Sequence, residues 1–99
     1  MHSLHVALQE GFAHDAIDIT LDGAKVFTAN DVSTRQQIGL AASFDVATKP
    51  GSHSVEVRLP RANLSGLQKI SVSSDTWLGV SLRNGQLDIR VSTQPFGYM

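Results

Sequence analysis

Residues 77–92, WLGVSLRNGQLDIRVS, decide the fold of this chain. Asn84-Gly85 is a two-residue turn signal, because both residues tolerate the positive φ that a type I′ turn demands. A loop of that length sets the register: Leu82 faces Leu87, Val80 faces Ile89 and Leu78 faces Val91. Side chains alternate along a strand, so these six apolar residues share one face. The other face carries Arg83 opposite Gln86, Ser81 opposite Asp88 and Gly79 opposite Arg90. The stretch therefore reads as an antiparallel pair with one face in a core and the other toward solvent.

The same grammar recurs on either side. Leu4, Val6 and Leu8 alternate with His5, Ala7 and Gln9 as a first strand ending at Gly11. Ile17, Ile19 and Leu21 alternate with Asp18 and Thr20, and Asp22-Gly23 forms a second two-residue turn. Across it Leu21 meets Ala24 and Ile19 meets Val26, with Phe27 on the opposite face beside Asp18. Ile38, Leu40, Ala42, Phe44 and Val46 hold one parity, which we read as two strands bent at residues 41–43. Lys49-Pro50-Gly51-Ser52 is a turn, followed by the strand Val55, Val57, Leu59 and its terminator Pro60. Residues 61–66 read as a connecting loop, and Ile70 and Val72 begin the next strand. A three-residue loop ahead of Trp77 then pairs Val72 with Leu78 and Ile70 with Val80, completing a three-stranded C-terminal meander.

No segment holds a convincing 3.6-residue period. Seven to nine short strands separated by regular turns indicate an all-β, antiparallel β-sandwich, immunoglobulin-like or transthyretin-like, over a single domain of residues 1–99. Ninety-nine residues suit one modest core.

Composition narrows function by exclusion. The chain is 41% hydrophobic and 17% charged with a net charge of −1, a globular balance that argues against a nucleic-acid partner. Basic and acidic residues number three against six in residues 1–50, and five against three in residues 51–99, which reads as solvated surface. Without cysteine there is no disulfide, thiolate zinc site or cysteine nucleophile. No apolar run is long enough for a transmembrane helix, so no membrane partner is expected. The N-terminal MHSLHVALQEGF lacks a basic region followed by an apolar run, and a cytoplasmic location is the resulting expectation.

Two short stretches carry a family resemblance. Leu21-Asp22-Gly23-Ala24-Lys25-Val26, followed by Pro50-Gly51-Ser52-His53-Ser54-Val55-Glu56-Val57, resembles PEGA-like and carboxypeptidase-regulatory-like bacterial sandwich modules. In those modules a "DG-x-x-V" hairpin precedes a "PG-x-H/Y-x-V-x-V" strand. The likeness covers residues 20–60 and leaves the C-terminal hairpin and tail outside it. It implies a non-catalytic accessory domain with no active site to carry over.

Four histidines, His2, His5, His14 and His53, raise a metal hypothesis. His2 and His5 project to opposite faces of one strand, and His14 joins His5 only if the first two strands pair. The expectation is no metal and no cofactor. A hydrolytic triad lacks both a nucleophile elbow and the strand–turn–helix that would present it. His53 lies between Ser52 and Ser54, whose side chains diverge from its own. No catalytic residue is assigned. The outer face of the 77–92 hairpin is the suggestive surface: Trp77, Arg83, Asp88 and Arg90, with Arg90 diagonal to Trp77 and able to stack on the indole. The tail Pro95-Phe96-Gly97-Tyr98-Met99 adds Phe96 and Tyr98, apolar residues expected to pack on the sandwich, a partner or a second copy. The leading expectation is a non-catalytic module that binds another protein or self-associates. A carbohydrate-binding domain using the Trp77 face comes second, and a metal-dependent or hydrolytic enzyme third.

Overall fold

A computed structural model describes residues 1–35 and 39–96. It contains eight strands and no α-helix among those residues: β1 His2–Leu8, β2 Asp15–Leu21, β3 Ala24–Val32, β4 Ala42–Thr48, β5 Gly51–Leu59, β6 Leu64–Val72, β7 Thr76–Arg83 and β8 Gln86–Ser92. They form two four-stranded sheets, ordered β4-β1-β7-β8 and β3-β2-β5-β6. The architecture is an all-β sandwich. All pairings are antiparallel except β1 with β7, which run parallel from Leu4↔Thr76 to Leu8↔Val80.

The β7–β8 hairpin has the register its turn dictates, with Leu82↔Leu87, Val80↔Ile89 and Leu78↔Val91 in line. Asn84 and Gly85 take φ of 53° and 74°, the left-handed pair of a type I′ turn. Burial along the inner face is graded. Leu78 and Val80 are fully buried, whereas Val91 is 44% exposed. β8 is the edge of its sheet, and the apolar face of the hairpin is covered fully only at Leu78 and Val80 of β7.

Between the sheets, Leu4, Val6 and Leu8 of β1 and Leu78 and Val80 of β7 meet Ile17, Ile19, Val55, Val57, Leu59, Ile70 and Val72 of the opposite sheet. Each strand supplies its alternate residues, as period-two patterning requires. Phe12 and Val32 extend this core at one end.

Three local readings change. Val72 does not pair with Leu78, because residues 73–75 carry the chain from one sheet to the other. β7 takes β1 and β8 as its neighbours, so the two valine- and leucine-bearing faces confront each other across the core instead of lying side by side, and no C-terminal meander forms. The supposed loop at residues 61–66 is shorter. Asn63 in the left-handed region (φ 54°) reverses the chain after a 3₁₀ turn, Pro60–Ala62. Leu64 then pairs with Leu59, and β6 runs the full length of β5. Phe27 lies opposite Ile19, not beside Asp18, because an irregularity between Ile19 and Thr20 shifts the β2–β3 register. That shift turns Phe27 inward, where it stacks on Phe44 with ring centroids 4.6 Å apart. The stack ties the edge strands β3 and β4 together across the sandwich. Ile38 lies outside the described residues; Leu40 makes an isolated bridge with Arg35, and β4 starts two residues later.

Candidate functional site

The sheet order sets the composition of the outer face of β4-β1-β7-β8. Antiparallel pairing puts Asp45 of β4 opposite His5 of β1, and parallel pairing puts Trp77 of β7 on the other side of His5. One cross-strand row therefore reads Asp45, His5, Trp77. The imidazole stacks on the indole, with centroids 4.8 Å apart and planes inclined by 20°. His5 Nδ1 lies 2.6 Å from Asp45 Oδ1 and carries the proton of that bond, while Nε2 is 4.0 Å from Asp75 Oδ2. Asp75 is held in turn by the Ser3 backbone N–H, which donates to Oδ1 at 2.9 Å. Asp45 thus orients a ring whose face is against Trp77, with the Asp75 carboxylate beyond its far edge.

The C-terminal segment returns over this row. Ser92 Oγ donates to the Gln94 carbonyl at 2.8 Å and accepts the Gln94 N–H at 3.0 Å, closing the turn that reverses the chain. Pro95 and Phe96 then roof an opening of about 200 Å³ lined by His5, Ala7, Ser43, Asp45 and Trp77. Arg90 does not stack on the indole. Its guanidinium carbon is 5.5 Å from the centroid of the Phe96 ring, while His5 takes the indole face. Ala7 and Gly79, the next row, leave room for this roof. Gln9 closes the face beyond it, its Oε1 lying 2.9 Å from where a Cβ on Gly79 would stand.

The sequence-derived set therefore separates into three groups. Trp77 belongs with His5, Asp45 and Asp75. Arg90 belongs with Phe96. Arg83 forms a separate ion cluster, 3.2 Å from Asp88 and 3.4 Å from Glu10. Tyr98 lies outside the described residues. Sequence reasoning missed His5, Asp45 and Asp75 because their proximity depends on β1 docking beside β7, a pairing between opposite ends of the chain that no local pattern encodes.

The other histidines are dispersed. β1 and β2 lie in different sheets, so His14 does not join His5; its Nδ1 lies 2.7 Å from Asp31 Oδ1. His53 is held at both ring nitrogens, by Asp22 Oδ2 and by the Lys49 carbonyl, each at 2.6 Å. The Asp22 hydrogen bond, then the Lys49 carbonyl, holds the His53 pKa above its ordinary value. The same bond, with the Ser54 N–H second, holds the Asp22 carboxyl below its own. Among the described residues no three carboxylate or imidazole groups are placed to hold a metal ion, and no serine hydroxyl is hydrogen-bonded to an imidazole nitrogen. No helix among them is long and apolar enough to cross a membrane.

Comparison with known proteins finds no family model that matches the chain and no curated protein significantly similar to it.

Proposed function

We propose that the chain is a non-catalytic β-sandwich interaction module that recognises a partner protein through the outer face of β4-β1-β7-β8. The observation that carries this reading is the Trp77–His5 stack. It is an aromatic pair on a solvent-side sheet face, where the core needs no aromatic and where Ser3 of β1, Ser43 of β4 and Ser92 of β8 are the polar residues around it. Tryptophan and arginine are among the residues most enriched where protein surfaces bind, and here Trp77 lines the opening while Arg90 packs on Phe96, which covers it. A chain charge of −1 favours a protein over a nucleic acid. An accessory role is also what the PEGA-like resemblance implies.

A second reading, carbohydrate binding, is favoured by one feature: the opening sets Asp45 and Ser43, with hydrogen-bonding groups, beside the Trp77 ring. Against it, His5 already occupies one indole face, so the stacking surface left for a sugar ring is small. The two readings separate by experiment. Proteins cross-linked to the native chain in extracts of its own source should be identified and compared with those of a Trp77→Ser variant, alongside binding of both to a glycan array. A partner lost on Trp77→Ser, with no glycan retained, supports the proposal. Glycan binding that needs Trp77 replaces it with the second reading. Partners unaffected by the substitution refute a role for this face.

A further inference from the structure

The two sheets leave four edge strands, and they are not equally protected. β3 is broken by register irregularities and carries Lys25. β6 contains Gly66 and Lys69. β4 has a single charge, Asp45, already engaged by His5. β8 is a seven-residue strand in unbroken register without proline, glycine or lysine, and its two charges, Asp88 and Arg90, are opposite in sign, so they repel a second β8 only in some registers.

Its outward backbone can be identified. A two-residue turn makes Arg83 and Gln86 a hydrogen-bonded pair, and such pairs alternate along an antiparallel ladder. Gln86, Asp88, Arg90 and Ser92 therefore direct their N–H and C=O groups at β7. Leu87, Ile89 and Val91 direct theirs away from the sheet.

We propose that β8 pairs antiparallel with β8 of a second copy of this chain, about a two-fold axis through Ile89, joining the two outer faces into one continuous surface. Charge selects the axis. Centred on Ile89, the pairing sets Asp88 of each copy opposite Arg90 of the other, at non-hydrogen-bonded positions where side chains approach closest. An axis through Asp88 would oppose two aspartates, and one through Arg90 two arginines. Centred on Ile89, Leu87 meets Val91, and the outward groups of Leu87, Ile89 and Val91 all find partners. The charges have capacity for this. Arg90 makes no ion pair among the described residues, and Asp88 engages Arg83 through Oδ2 alone. The apolar side is also incomplete in one copy. Val91 is 44% exposed, and an open cleft of about 540 Å³ runs between β8 and β6 beside Leu64, Gly66, Leu87 and Ile89. This interface runs along the β8 edge, shares Arg90 with the Trp77 face, and does not depend on that face having a ligand.

Sedimentation velocity from low-micromolar to near-millimolar protein tests the pairing. The native chain should shift from monomer to dimer with concentration. Asp88→Arg or Arg90→Asp alone should raise the dissociation constant by about tenfold, since each opposes like charges twice. Combining the two exchanges restores opposite charges at both positions and should recover most of the affinity, a result no folding defect could produce. Val91→Pro removes an outward N–H while sparing the β7 ladder, and should leave a monomer with an unchanged far-UV circular dichroism spectrum. A native chain that stays monomeric throughout overturns the proposal. So does a dimer indifferent to Val91→Pro, or single exchanges that the combination fails to rescue.

Discussion

Gly11 shows how much a single position can hold. After β1 the chain stays against β7: the Gln9 N–H donates to the Val80 carbonyl at 2.7 Å and the Leu82 N–H to the Glu10 carbonyl at 2.8 Å. The path then turns away at Gly11, whose φ of +90° is open to glycine and costly to other residues. A Cβ there would stand 2.0 Å from the Leu82 carbonyl oxygen, so the backbone itself would have to move. Gly11→Ala is expected to destabilise the fold by about 3 kcal/mol, read as the shift in urea-unfolding midpoint; a loss below about 1 kcal/mol would show that the crossing relaxes easily. His53 is the other residue of this kind. Both its nitrogens face oxygen acceptors, and only the imidazolium can donate to both. Its raised pKa means that its stabilisation is complete below the ordinary value of about 6.5 and disappears as pH climbs through the folded value. The lowered pKa of Asp22 acts in the opposite sense: its contribution is present above about 4 and fades as acid protonates it. Stability should therefore be highest between about pH 4 and pH 6.5 and decline on the alkaline side, and His53→Gln should flatten that decline. Urea midpoints across this range check both statements, and an alkaline limb unchanged by the substitution would refute them.

At the scale of elements, the β7–β8 hairpin was legible in full, because a two-residue turn leaves the register no freedom and alternation does the rest. Adjacent hairpins were less so. The Asp22-Gly23 turn begins as its sequence says, with Leu21↔Ala24, but the irregularity between Ile19 and Thr20, which brings Phe27 to the core side against Phe44, leaves no mark in the local pattern. The tail behaves as an element as well. Phe96 is positioned by the Ser92–Gln94 turn and by Arg90, and it roofs the opening beside Trp77. Phe96→Ala should uncover the indole edge, shifting tryptophan emission to the red and increasing acrylamide quenching while unfolding midpoints change by less than about 1 kcal/mol. Trp77 is the chain's sole tryptophan, so the signal is unambiguous. Unchanged emission would mean that the tail does not shield it.

At the scale of the molecule, the decisive contact is β1 against β7. It makes β1 central to its sheet, between β4 and β7, and joins the first strand to one near the end of the chain. Closing so long a loop costs entropy before any contact offsets it, so folding should be slow for a chain of this size. Stopped-flow refolding is expected in the range of milliseconds to seconds, with Leu8→Ala lowering stability by about 2–5 kcal/mol because the residue is fully buried at that junction. Microsecond refolding would contradict the topology.

The sequence by itself determined the class of fold, most strand positions, the core parity and one hairpin to the residue, because turns and alternation act over a few residues and need no distant partner. It also singled out Trp77 and Phe96, large aromatics on an otherwise polar face, with Arg90 as a cation able to stack on a ring. Tertiary structure alone decided which strands share a sheet, and therefore what those residues touch. Val72 and Leu78 lie in facing sheets, Arg90 covers Phe96, and the indole of Trp77 stacks on an imidazole from the first strand. Sheet membership depends on pairing energies between segments far apart in the chain. Those energies are nearly degenerate for strands of the same alternation, and only the packing of the whole core separates them.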